Sequence, residues 1–166
     1  MALPGSKRRE ESVVSVSVFE SQHMTDELLV SFRSEVSGRT VVVSDEGDSV
    51  WGYLTRAGTL QPERDCWLFN TPEAPLSPDI SEYRRTRRPP PAPAAMVGPG
   101  GVQDPPRAER WSVRWSQAGE SVAIALDGVD IGVIAATERR GISRHLTESG
   151  PWGGRWDEVL VGRLLS

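Results

Sequence analysis

The sequence predicts a mostly β fold: an antiparallel sheet or small sandwich with a three-stranded C-terminal meander and one or two short helices. Three observations carry this. Two glycine-containing turn signals, Asp127-Gly128 and Asp45-Glu-Gly-Asp48, each sit between apolar runs. The flanking runs alternate with a period of two rather than 3.6. The chain has 166 residues with 37 % hydrophobic residues and 16 glycines, which suits one compact domain with a real core.

Residues 1–12 read as a flexible polar tail and residues 13–166 as a single domain. Val14, Val16 and Val18 alternate with Ser15 and Ser17, the pattern of a half-buried strand. Residues 25–37 fit two readings. Leu28, Phe32 and Val36 share a helical stripe, with Thr25 as a cap and Gly38 just past the end. Leu28, Val30 and Phe32 also alternate as a strand would. Next, Thr40–Ser44 and Ser49–Leu54 flank the acidic turn as a hairpin. A turn centred on Glu46-Gly47 sets Val43 opposite Val50 and Val42 opposite Trp51, with apolar groups on both faces. Such a hairpin belongs inside a sheet or along a groove. Cys66-Trp-Leu-Phe69 is a further short strand, ended by Asn70-Thr-Pro72.

Residues 89–106 hold seven prolines, three glycines and three alanines in 18 positions. This composition forms neither ladders nor helices, so an extended, mobile loop interrupting the domain at its surface is expected. The meander after it is the best-determined part. Turning at Asp127-Gly128 sets Leu126 opposite Val129, Ile124 opposite Ile131 and Val122 opposite Val133. A second turn at Ala118-Gly119 sets Trp115, Val113 and Trp111 opposite Val122, Ile124 and Leu126. Nine apolar side chains then share one face, and a one-residue slip in either pairing would scatter them. Residues 156–165 suit a short helix, with Asp157 and Glu158 in its first turn, Arg163 in its last, and Trp156, Leu160 and Leu164 facing inward. Val159 and Val161 keep a strand open there.

The chemistry-bearing residues are sparse. The acidic turn lacks the spacing and the distal glutamate of a calcium loop, and reads as a solvated hairpin tip. Cys66 with His23 or His145 is the minimum for a thiol nucleophile. No local signature surrounds Cys66, whose setting is that of a small buried hydrophobe. Two histidines and one cysteine do not close a zinc site. Nucleophile-elbow, zinc-protease, phosphate-loop and dinucleotide motifs are missing from the sequence. No catalytic residues, no metal site and no cofactor are therefore expected.

Lys7 is the one lysine among 19 basic residues, an arginine bias typical of GC-rich bacterial genomes. It tempers any reading of the basic run 84–88, although Arg87, Pro90 and Pro93 do match an R-x-x-P-x-x-P spacing. With a net charge of −4 and no aromatics interleaved with that run, nucleic acid is not the expected partner. No apolar stretch reaches the length of a membrane span or a signal peptide, so a cytoplasmic, soluble chain is expected.

Six tryptophans are the oddest feature. The meander accounts for Trp111 and Trp115. Trp51, Tyr53 and Trp152, framed by Asp45, Glu46 and Asp48, are the candidate binding residues, because exposed aromatics beside acidic groups suit a basic protein partner.

The order DEGDSVWGYL, CWLFN, WSVRWSQAGESVAIALDG and RWDE resembles a family of small bacterial proteins of unknown function, marked by an acidic-Gly/aromatic hairpin and a W-S-x-x-G β-meander. The matching positions are Glu46, Gly47, Gly52, Tyr53, Phe69, Asn70, Trp115, Ser116, Gly119, Ala123, Leu126 and Gly128, across residues 41–72 and 111–158. The resemblance implies a soluble bacterial domain with no established activity, and residues 89–106 as an insertion within it.

The reading that follows is a non-enzymatic binding module, an immunity or adaptor protein that masks a basic protein partner. One alternative is a small enzyme whose acidic groups (Asp45, Glu46 or Asp48) meet His145 only in three dimensions. Another is a structural or assembly subunit that pairs through a sheet edge.

Overall fold

The computed structural model describes residues 28–166. The polar tail, the strand expected around Val14–Val18, and His23 lie outside the described residues. The first sheet is a meander, β1 (Leu29–Arg33), β2 (Thr40–Asp45), β3 (Ser49–Thr55) and β4 (Pro62–Asn70), antiparallel throughout and in chain order. Of the segment that fits both helix and strand, Leu29–Arg33 form a strand. Val30 and Phe32 point into the core, whereas Val36, which a helix needs on the same stripe, is 69 % exposed. Pairing with β2 across the whole of β1 decides between two local patterns of similar merit.

The β2–β3 turn centres on Gly47-Asp48, one residue later than the sequence suggests. Asp45 pairs with Val50, and the Glu46 N–H donates to the Ser49 carbonyl at 2.8 Å. Gly47 takes φ +97°, which a side chain resists, so the glycine occupies the first central position of the turn. Val43 therefore meets Gly52 rather than Val50, and Val42 meets Tyr53 rather than Trp51. The register moves by two residues, so every side chain keeps its predicted face. The hairpin lies inside its sheet, as its two apolar faces require.

The second sheet follows the order β5 (Trp111–Trp115), β6 (Ser121–Leu126), β7 (Val129–Ala135), β8 (Ile142–Ser143), β9 (Gly154–Arg155). Its pairs are antiparallel except β8 with β9, which is parallel. The β5–β6 register is the predicted one at Trp111–Leu126, Val113–Ile124 and Trp115–Val122. The β6–β7 register matches only near the turn, at Leu126–Val129. Ile131 is an extra, bulged residue, so Ile124 faces Gly132 rather than Ile131, and Val122 faces Ile134 rather than Val133. The reason lies across the core. A Cβ at position 132 would stand 2.4 Å from Leu68 Cδ2, so the bulge sets a glycine where the sheets approach closely. Val133 turns to the outer face and Ile134 takes its inner place. Val129, at the hairpin end, is 54 % exposed.

The two inner faces meet as a sandwich. Val30, Phe32, Val41, Val43, Leu54 and Leu68 pack against Val122, Ile124, Ile131 and Ile134, and Phe69 stacks on Trp111 with ring centres 6.1 Å apart. A bulge beside Leu68 lets Leu68 and Phe69 both point inward and returns Asn70 to the outer side. Helix α2 (Glu158–Leu164) covers the outer face of the second sheet, where Val161 packs with Ala123, Val133 and Ile142. Asp157 caps it rather than lying in its first turn, accepting from the Val159 and Leu160 N–H groups. Val159 points to solvent, so the strand reading of this segment fails. Among the described residues no helix is long and apolar enough to cross a membrane.

A short helix, α1 (Ile80–Thr86), leads into the Pro-rich stretch, which differs from expectation. One 3-10 turn at Ala94–Met96 breaks it, contrary to the expectation of no helix, and it is strapped over the outer face of the first sheet. Pro91 and Ala92 are buried, and Ala92 packs with Trp51, Trp67 and Leu146. The Ala92 N–H and carbonyl, the Pro90 carbonyl and the Ala94 N–H find partners outside any regular ladder, which favours burial of such a segment.

Ile124→Asp places a carboxylate between the sheets and should cost at least several kcal/mol, enough to unfold the domain. Ala125→Asp, on the opposite face beside Ser112 and Asp130, should be clearly milder in thermal melts. Equal losses would contradict the register.

Candidate functional site

The outer face of β3 and β4 carries the site. With period two, Trp51 and Tyr53 of β3 and Trp67 of β4 share that face, Trp51 directly opposite Trp67 and Tyr53 opposite Asp65. Trp152 and Leu146, from the loops around β8 and β9, complete an aromatic floor. Residues 88–97 lie across it as a strap. Trp152 Nε1 donates to the Pro90 carbonyl at 3.1 Å. Pro93 holds φ −59° and ψ 142°, the polyproline II conformation. Farther along, the Thr147 N–H donates to the Met96 carbonyl and the Gly98 N–H to the His145 carbonyl.

Asn70 is the clamp. Its Nδ2 donates to the Ala92 carbonyl at 2.8 Å, while Oδ1 accepts from the Ala92 N–H and from Trp67 Nε1, both at 2.9 Å. Its main chain binds the returning limb, with N–H to the Gly101 carbonyl and carbonyl to the Gln103 N–H. One buried amide thus serves the strap as a strand neighbour would. Between the limbs opens a cavity of about 310 Å³, lined by Thr71, Pro75, Leu76, Ala94, Val97 and Val102. Leu76 and Val102 on its rim are 77 % and 56 % exposed.

The predicted binding residues are brought together, but differently from expectation. Trp51, Tyr53 and Trp152 join one cluster. Trp51 is 6 % exposed and its Nε1 donates to Ser49 Oγ, so it is no exposed hot spot; the strap supplies the partner that free solvent-facing rings would have sought. Tyr53 donates to Glu46 Oε1 at 3.0 Å, and burial first, then the Glu46 charge, pushes its hydroxyl well above the usual range. Asp45 Oδ1 accepts from the Gly47 N–H within the turn. Asp48 accepts from the Tyr83 hydroxyl of α1 and pairs with Arg88 at 3.2 Å. Burial, reinforced by Asp48, raises Tyr83 to about 12. The acidic turn is thus a docking point for α1 and the start of the strap rather than a solvated tip.

Among the described residues, His145 and Cys66 hydrogen-bond to main-chain carbonyls rather than to each other or to a carboxylate. His145 Nδ1 lies 3.2 Å from the Pro99 carbonyl, and no carboxylate is among the groups that shift it. Cys66 is buried against the Trp67 and Ile142 carbonyls, and burial pushes its thiol far up. That is the environment of an inert core thiol. No cluster of three or more His, Cys, Asp or Glu side chains able to hold a metal ion occurs among the described residues. Sequence reasoning missed Asn70, Trp67 and Arg88 as site residues. The available signal was an amide directly after an apolar strand in a chain that must also place a Pro-rich stretch.

No protein family, curated protein or solved structure matches the chain.

Asn70→Ala strands the Ala92 N–H and carbonyl and Trp67 Nε1. At about 1–3 kcal/mol for each buried polar group left unpaired, the loss should reach several kcal/mol, read as a lowered midpoint in urea. Limited proteolysis should then cut within 89–106 well before the wild type is cut. An unchanged midpoint would show that the clamp is not needed.

His145 gives a pH dependence. Burial, and to a smaller degree Arg144, hold its pKa below the unfolded value of 6.5, and its buried Nε2 has no hydrogen-bond partner among the described residues. Below 6.5 the unfolded chain takes up a proton that the folded chain refuses, so stability is full above that pH and declines as pH falls through the folded value. Urea midpoints of His145→Gln should lack this part of the decline.

Proposed function

We propose that the protein is a non-enzymatic binding module that captures a protein partner at the strapped face of its first sheet. The observation that carries this reading is an aromatic floor that already holds a polypeptide segment through side-chain hydrogen bonds, beside a cavity of mixed polar and apolar lining with exposed Leu76 and Val102 at its rim. An immunity or adaptor role in a bacterial cytoplasm is the physiological form of this reading. A net charge of −4 and exposed Asp65 opposite Tyr53 favour a partner with positive charge next to its apolar contacts.

Photo-crosslinking residues introduced at Leu76 and Val102 should trap the same partner, and one at Val159, on the far layer, should not. Leu76→Asp with Val102→Asp should weaken capture at least about 10-fold, while stability moves by no more than about 0.5 kcal/mol per surface change. The same proteins trapped at all three positions would argue against a site on this face.

A further inference from the structure

The strap shows what ligand the floor beneath it selects. Arg88, at its N-terminal end, pairs with Asp48 and sits over the Tyr83 ring with its guanidinium carbon 5.4 Å from the centroid. Two residues on, the Pro90 carbonyl meets Trp152 Nε1, and Ala92 is read at its N–H and carbonyl by Asn70. Pro93 takes polyproline II angles and leads into a single 3-10 turn at Ala94–Met96. A charge, a carbonyl met by an indole, and a main chain read by an amide together hold a segment whose sequence is Arg88-Pro-Pro-Pro-Ala-Pro93. The anchor is Arg88 rather than Arg87, which instead takes φ +56° at the C-cap of α1.

We propose that this face is a polyproline-recognition groove, held by residues 88–93 in cis and open to a Pro-rich segment with a leading arginine on another polypeptide. The inference rests on the reading of this face as a binding surface and names its partner. The polyproline conformation is populated before binding, so such a ligand gives up little entropy on docking. The cis segment competes at the high effective concentration of a tethered ligand, so the intact protein binds a free peptide weakly and a loosened strap raises its affinity.

The probe is a fluorescently labelled synthetic peptide with the sequence of residues 86–97, followed by anisotropy against the full chain. Pro89→Gly with Pro91→Gly loosens the strap by raising the entropy of its released state and leaves the side chains of the floor unchanged. This variant should bind the peptide at least about 10-fold more tightly than the wild type. Adding Trp152→Phe should remove most of that gain, and a peptide with its arginines and prolines replaced by serine should not bind. Arg88→Ala releases only the half-exposed anchor. It should also raise affinity, so the test stands if the double-glycine variant fails to fold. Folded variants that bind the labelled peptide no better than wild type would overturn the proposal. So would loosened variants that form strap-exchanged dimers on size exclusion, since the ligand would then be the chain itself. Absent peptide binding with crosslinks at Leu76 and Val102 intact would refute the polyproline ligand alone. Loss of the crosslinks with peptide binding intact would count against the cavity rim instead.

Discussion

The Asn70 amide binds both main-chain polar groups of Ala92 and so ties the centre of the Pro-rich strap to the first sheet. It stands at the end of β4, turned outward by the bulge at Leu68, and meets a residue 22 positions later. A Pro-rich segment cannot satisfy its main chain with a ladder of its own, and burying it unpaired would cost more than its few apolar contacts return. By binding both polar groups of Ala92 and fixing the indole of Trp67, one side chain makes burial of that segment favourable. The strap in turn shields the aromatic floor, with Trp152 and Arg88 holding it on either side of that amide.

The layers depend on one another in order. The sandwich core sets the register of β3 and β4, because Phe69 and Leu68 must both reach the second sheet. That register places Trp51, Tyr53 and Trp67 together on the reverse side. The β2–β3 turn then receives α1 through Tyr83 and the start of the strap through Arg88, so the acidic residues are consumed in building the face they border. The second sheet is covered more simply, by the apolar side of α2.

Much of this was legible in the sequence. Period-two alternation and turn glycines pointed to the meander, both hairpins and β4, and charges matched to the helix dipole with a stripe of apolar residues pointed to α2. The differences arise where tertiary contact overrules local pattern. The choice between helix and strand at β1 depended on a neighbouring strand, and the Ile131 bulge depended on Leu68 across the core. The strap was hidden for a stronger reason. Composition reports that a segment cannot form regular structure, but says nothing about whether distant side chains will satisfy it. Trp51, Tyr53 and Trp152 were recognised as related residues, yet their burial could not be read without knowing that Asn70 and the prolines meet.

The placement of the indoles gives the molecule an internal optical reporter. Trp51, Trp67 and Trp152 all belong to the cluster beneath the strap, while Trp111 is stacked in the sandwich core. Indole emission shifts to longer wavelength when the ring moves from an apolar setting into water. Lifting of residues 88–97 would therefore colour the emission of one group of tryptophans and leave Trp111 unchanged, so local opening and global unfolding carry separable spectral signatures without any added label.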